Sequence, residues 1–365
     1  MINVTKIYLP SKEKYQKFID EIFESGWVTN NGPMVQKLEE QLAAYLGVKN
    51  IILVANGTVA LEIAYRLMRL EGEVITTPFS HVSTTGMLVS NGLKPVFADI
   101  DPATFNLDPK NIEAVITEQT SGIVPIHIFG NACEVEEIES IAKKYDLKVI
   151  YDAAHIFDAQ YKGENLLNFG DVSTLNFHAT KLFHTIEGGA LIVNDDMLAQ
   201  EVRSLRYFGL DGPDSVKFLG TNGTMNEFEA AMGLCLLDDM ETTLASRKEV
   251  FEYYEQGLKD VVTFQKQNKN STPAYGYFPV LFKTEDELLR VQKALNDAEV
   301  FPRRYFCPSL DTLPYIEKSA EMPLSRDLSS RILALPIYHS LAKDQQTLIM
   351  DIVRGAIRDD AFSGL

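Results

Sequence analysis

Between about residues 50 and 195, short apolar runs alternate with stretches of helical periodicity, and this constrains the fold more than any other feature of the chain. Repeated strand–helix units of this kind build a mostly parallel sheet with helices on its faces. Seven strands are expected, over residues 51–54, 74–76, 95–98, 122–126, 148–151, 173–177 and 190–193. Val135, Ile138, Ile141, Ala142 and Tyr145 fall at helical spacing after the Gly130-Asn131 break and predict a crossover helix.

After Asn194 the pattern changes. Residues 197–207 and 227–258 read as helices, the second long enough to link two domains. Strands at 276–282 and 331–335 with helices at 285–296 and 343–358 then predict a smaller α+β unit. The expected division is a helical N-terminal segment with a large α/β domain over 1–240, and a smaller α+β domain over 241–365. Within the first 48 residues, the turn Thr29-Asn30-Asn31-Gly32-Pro33 precedes an amphipathic helix carrying Val35, Leu38, Leu42 and Leu46. That turn is placed to reach a ligand.

Charge narrows the partners. Across 365 residues, 51 acidic side chains oppose 34 Lys and Arg, a formal charge of −17 that disfavours nucleic acid and anionic membrane surfaces. Any phosphate must therefore be met by a local positive pocket. Cys133, Cys235 and Cys307 are odd in number and lack CxxC spacing, which fits a reducing compartment and neither a disulfide framework nor a zinc site. Residues 1–10 lack the basic start, apolar run and small-residue cleavage site of a secretion signal, and no apolar run reaches the ~18 residues of a membrane span. The expectation is a cytoplasmic chain.

Three local patterns could carry chemistry. Ala55-Asn56-Gly57-Thr58 ends a strand and opens a helix, where free N–H groups and the helix dipole can seat a phosphate. The same residues also make an ordinary helix cap. Asp152 stands at the carboxyl end of a central strand, the edge where open α/β sheets bind ligands, with His155 three residues on. An acid there can be a metal ligand, a cap or the partner of a buried cation. Lys181 lies between a strand and the Glu187-Gly188-Gly189 turn; it is either a solvated charge or, if desolvated over the crevice, a nucleophilic amine. Together a phosphate seat, an acid and a lysine are the parts pyridoxal 5'-phosphate requires. A nicotinamide enzyme would want a GxGxxG turn after an early strand, and none occurs there.

These residues resemble the DegT/StrS-type sugar aminotransferases, fold type I pyridoxal-phosphate enzymes. The similarity spans nearly the whole chain. It rests on Trp27 to Pro33, Ala55-Asn56-Gly57-Thr58, Asp152 to His155, Phe177 to Lys181 with Glu187-Gly188-Gly189, Gly220 to Asn222 before Met225, and Arg303-Arg304-Tyr305. The resemblance implies that Lys181 forms the Schiff base and shuttles the proton, that Asp152 pairs with the pyridinium, and that His155 lies near the phenolic oxygen. It also implies that His81 stacks on the ring, that Gly57 and Thr58 bind the phosphate, and that Asn222 reaches the phosphate of a neighbouring subunit, which requires a homodimer. Two positions depart from the family pattern: Asn176 stands where a phosphate-binding serine is usual, and Thr224 where an arginine is usual.

The implied substrates are glutamate and a nucleotide-linked keto sugar, with Arg303, Arg304 and Tyr305 as candidates for the diphosphate and base, and Thr29 and Asn30 for further contacts. Lys181 separates the chain from relatives that carry histidine there and remove a hydroxyl instead. Within the family the chain is most similar to enzymes aminating C4 of a dTDP-4-keto-6-deoxyhexose for bacterial surface polysaccharide. C3 amination, a UDP or GDP sugar, and a non-catalytic sensor are the alternatives.

Overall fold

The computed structural model describes residues 1–317 and 320–358; residues 359–365, the end of the expected second domain, lie outside the described residues. All seven expected strands join one sheet. Across it run Asn50–Val54, Gly189–Val193, Val172–Asn176, Lys148–Asp152, Thr120–Val124, Glu73–Thr76 and Lys94–Phe97. Gly189–Val193 is antiparallel to both neighbours, and the remaining pairings are parallel.

The strands read as near-continuous apolar runs because helices cover both faces. Successive residues alternate between two cores: Ile51 and Leu53 pack with Leu38, Leu42, Ile138 and Leu234 on one face, while Ile52 and Val54 pack with Ala60, Ala64 and Val202 on the other. The expected crossover helix is Val135–Tyr145. A third core forms where the antiparallel strands Thr263–Phe264, Phe278–Leu281 and Ile332–Leu335 meet helices Glu285–Asp297 and Lys343–Arg358. Ile2–Asn3 pairs in parallel with Val300–Phe301, a tie between the N-terminus and the C-terminal part of the chain that apolar periodicity does not reveal.

One expectation needs correction. Residues 227–258 do not form a single helix but two, Glu227–Leu237 and Met240–Leu258. Lys14 Nζ takes the Cys235 carbonyl at 2.7 Å, and the Asp239 N–H turns instead to Leu236 O at 3.0 Å. The helical ladder breaks there, and Asp238 and Asp239 face Lys14. The second helix contributes Met240 to the first core and Val250, Tyr254 and Leu258 to the third. Among the described residues, no helix is long and apolar enough to cross a membrane.

Candidate active site

The carboxyl ends of the parallel strands converge on a cavity of about 800 Å³, the size of a cofactor or ligand site. Val54 leads into the helix Gly57–Leu67, whose first residues form one wall. Asn56 caps this helix, its Oδ1 accepting the Val59 N–H at 2.9 Å. The N–H groups of Gly57 and Thr58 have no acceptor among the described residues and remain available to an anion. Close packing explains the glycines. A Cβ on Gly57 would lie 2.6 Å from Asn176 Cβ, and one on Gly189 would lie 2.7 Å from Gly57 N. The helix end thus rests directly on two strand ends, beside the Asn176 amide. This cradle, open N–H groups with an amide at its lip, fits a phosphate even though Asn176 replaces the family serine.

Asp152 closes its strand and is 4% exposed. Thr84 Oγ1 donates to its Oδ2 at 2.7 Å and the Ala154 N–H to its Oδ1 at 3.1 Å. Thr84 comes from the helix Val82–Ser90 and is a partner that sequence pattern did not single out. Lys181 reaches the same cavity from the loop after Val172–Asn176, its Nζ donating to Tyr277 Oη at 2.9 Å.

His155 lies between aromatic rings, 5.5 Å from Phe306 and parallel to it, and 4.8 Å from Tyr277. Its Nδ1 accepts the Phe129 N–H at 3.2 Å, which leaves the proton of the neutral ring on Nε2. Burial first, then the Lys181 charge, hold His155 well below the usual imidazole range. It is therefore neutral at physiological pH and offers one N–H donor. His81 lines the cavity too, with Nδ1 accepting the Ser83 N–H at 3.2 Å and its ring edge-on to Phe306 at 6.3 Å.

The substrate candidates divide. Arg303 and Tyr305 line this cavity and a second of about 840 Å³, and the two also share Ser80, His81, Thr180 and Phe306. Arg304 lines the second cavity, but its Nη2 is held by Glu285 at 2.7 Å and by the Ser330 carbonyl at 2.9 Å, so it ties two helices together. Asn222 is exposed and outside the cavity of its own chain, its backbone bridged to Tyr207. Thr29 and Asn30 do not line it either. They sit in a turn with left-handed Asn30 and Asn31, where Arg206 reaches Asn31 Oδ1 at 2.7 Å and the Glu227 N–H reaches the Val28 carbonyl. Sequence reading missed Tyr277 and Phe306, which belong to none of its chemistry-bearing patterns.

A family model matches residues 10–354: the DegT/DnrJ/EryC1/StrS aminotransferase family. The chain belongs to this family. As a member of the DegT/DnrJ/EryC1/StrS family it is a pyridoxal-phosphate-dependent aminotransferase, as the resemblance implied. It is 40% identical over 360 residues to a dTDP-4-amino-4,6-dideoxy-D-glucose transaminase of Shigella dysenteriae, covering 97% of this chain and 98% of the relative. A transaminase of the same description from Escherichia coli is 36% identical over 373 residues, covering 97% and 98%. The crystal structure of DesI with its TDP-sugar product superposes with a TM-score of 0.93 at 30% identity, over 100% of this chain and 95% of that one. The fold of the family is thus the α/β architecture described above.

Proposed function

We propose that the protein moves the amino group of glutamate to a keto sugar carried on a nucleoside diphosphate, and that the acceptor is a dTDP-4-keto-6-deoxyhexose aminated at C4. One observation carries the reading: Lys181, Asp152 and the helix N-terminus at Gly57 wall a single cavity, which meets a second of similar size at Arg303 and Tyr305. The descriptions of the two transaminase relatives support the C4 position and the dTDP carrier.

When bound, pyridoxal phosphate supplies an electron sink conjugated to the carbon that loses and regains a proton. The rest falls to the chain. Gly57 and Thr58 would hold the phosphate with backbone N–H groups, and Asn176 would add its amide. Asp152, fixed by Thr84 and Ala154, would keep the ring nitrogen protonated. His155 would give its Nε2 proton to the phenolic oxygen, and His81 would cover one ring face. Lys181 would anchor the cofactor, then carry the proton between the reacting carbon and the cofactor. Arg303, the arginine that lines both cavities, is the fitting partner for a diphosphate, with Tyr305 beside it. Each cycle converts glutamate and keto sugar into 2-oxoglutarate and amino sugar.

We also propose a homodimer in the cytoplasm. Asn222, Thr29 and Asn30 lie outside their own cavity but near exposed apolar side chains: Trp27 at 52% and Leu219 at 81% exposure close by in sequence, and Phe208 at 51%, whose N–H bonds the Thr221 carbonyl. Such a surface suits a second copy whose site those residues complete. The free cysteines Cys133, Cys235 and Cys307 suit a reducing compartment.

The test is to load the enzyme with pyridoxamine phosphate, offer dTDP-, UDP- and GDP-linked keto sugars, and identify products by mass and NMR. An amine at C4 of the dTDP sugar is the expected result. Amination at C3, or of a UDP or GDP sugar alone, overturns the substrate assignment; cofactor binding without amination of any sugar favours a sensor.

A further inference from the structure

The hydrogen bond between Lys181 Nζ and Tyr277 Oη, 2.9 Å long, differs in kind from the carboxylate pairs of Lys14 and Lys94. Lys14 sits 3.2 Å from both Asp238 and Asp239, and Lys94 meets Glu73 at 3.0 Å. Among the described residues, no carboxylate lies within 4 Å of Lys181 Nζ, and the phenol is its hydrogen-bond partner.

A carboxylate can only accept, whereas a phenol both accepts and donates. An ammonium has three donors and no lone pair, so the phenol accepts from it. A neutral amine keeps two N–H donors, so the same phenol can go on accepting from one of them and leave the new lone pair free, with its own proton kept throughout. Tyr277 can thus stay bonded to Lys181 whether or not the amine carries its extra proton. A carboxylate would favour the charged amine, whereas an uncharged phenol leaves a lysine free both to take up and to release a proton at one place.

The phenol is itself held firmly. Its ring meets His155 at 4.8 Å, Phe129 at 5.6 Å and Tyr305 at 5.9 Å. The chain enters it through Tyr275, whose left-handed φ of 51° is uncommon for an aromatic residue. Buried Arg247, from the helix Met240–Leu258, donates through Nη1 to the carbonyls of Tyr275 and Gly276 at 3.3 and 3.2 Å. Among the described residues those are its hydrogen bonds; it has no carboxylate partner, and its Nε has none at all. A buried cation without a counter-ion is destabilising in itself. The fold carries that cost at the turn beside the reactive lysine.

We propose that Tyr277 is the positioning residue of Lys181, holding the ε-amine in one place through both protonation states, and that Arg247 acts through the Tyr275–Gly276 turn to aim it. This rests on Lys181 being the cofactor-binding lysine.

Tyr277→Phe keeps the ring and removes the hydroxyl. Three readouts apply: the rate at which apoenzyme attaches pyridoxal phosphate, followed by visible absorption; kcat against KM; and the primary isotope effect with α-deuterated glutamate. Attachment and kcat should each fall roughly tenfold to a hundredfold, the scale of one hydrogen bond to a charged group. KM for both substrates should stay within about threefold, and the isotope effect should rise. Arg247→Lys, which keeps the charge but not the fork, should shift the same readouts in the same direction; should it fail to fold, Tyr277→Phe carries the test. Wild-type attachment and kcat in Tyr277→Phe, or a change confined to KM, overturns the inference. Failure of the wild type to attach cofactor at Lys181 overturns the earlier assignment instead.

Discussion

Gly57→Ala is the sharpest perturbation of the proposed phosphate seat, because its consequence follows from a distance. The new methyl would lie 2.6 Å from Asn176 Cβ, against the ~3.5 Å of an ordinary carbon contact, an overlap of about 0.9 Å. Rotating the asparagine cannot relieve it, since a Cβ moves only with its backbone, and that backbone is locked in the sheet opposite Gly189. The helix end must therefore withdraw by about 1 Å, at a stability cost of about 1–3 kcal/mol. Withdrawal takes the Gly57 and Thr58 N–H groups away from the phosphate. Loss of one charge-assisted hydrogen bond, about 1.5–3 kcal/mol, predicts pyridoxal phosphate binding weakened roughly tenfold to a hundredfold. Absorption titration of apoenzyme measures this, with pyridoxal, which lacks the phosphate, as the control. Pyridoxal affinity should change by less than about threefold, because it makes no use of the seat. Equal losses for both compounds, or no loss for either, would refute the phosphate assignment.

The remaining predictions concern charge. Arg303→Ala should raise KM for the nucleotide sugar by roughly tenfold or more with little change in melting temperature, since the residue is exposed and lines the cavity. Arg304→Ala should do the reverse, because it strands Glu285 and the Ser330 carbonyl while leaving Arg303 in place; steady-state kinetics and a melting curve on both variants separate the two roles. His127 is fully buried, stacked on Tyr151 at 4.6 Å, and burial pushes it down to about 3. Its folded value lies below the unfolded ~6.5, so its stabilising contribution is complete above 6.5 and is lost as the pH falls towards 3, by about 2 kcal/mol at pH 5. The fall in melting temperature between pH 7.5 and 5 should therefore be smaller in His127→Gln; an unchanged fall would remove this histidine from the acid response.

The sheet was legible because burial on both faces writes each strand as an apolar run, and all seven runs stand within a few residues of their expected places. The convergence of Asp152, Gly57 and Lys181 was legible for the same reason, since parallel strands end on one edge. What sequence could not carry depends on contacts between distant segments. The break at Asp238–Asp239 is imposed by Lys14, more than 200 residues earlier in the chain. Arg303 and Arg304 are adjacent and chemically identical; Glu285 and Ser330 separate them by holding one. Tyr277 reaches Lys181 through a left-handed turn fixed by Arg247, and no local pattern announces it.

The assignment of the reactive lysine meets its most direct test in borohydride reduction of the holoenzyme, followed by digestion and peptide mass analysis. A pyridoxyl group on Lys181, absent after preincubation with glutamate and absent from Lys181→Ala, is the predicted result. A label on a different lysine, or one that persists in Lys181→Ala, contradicts it.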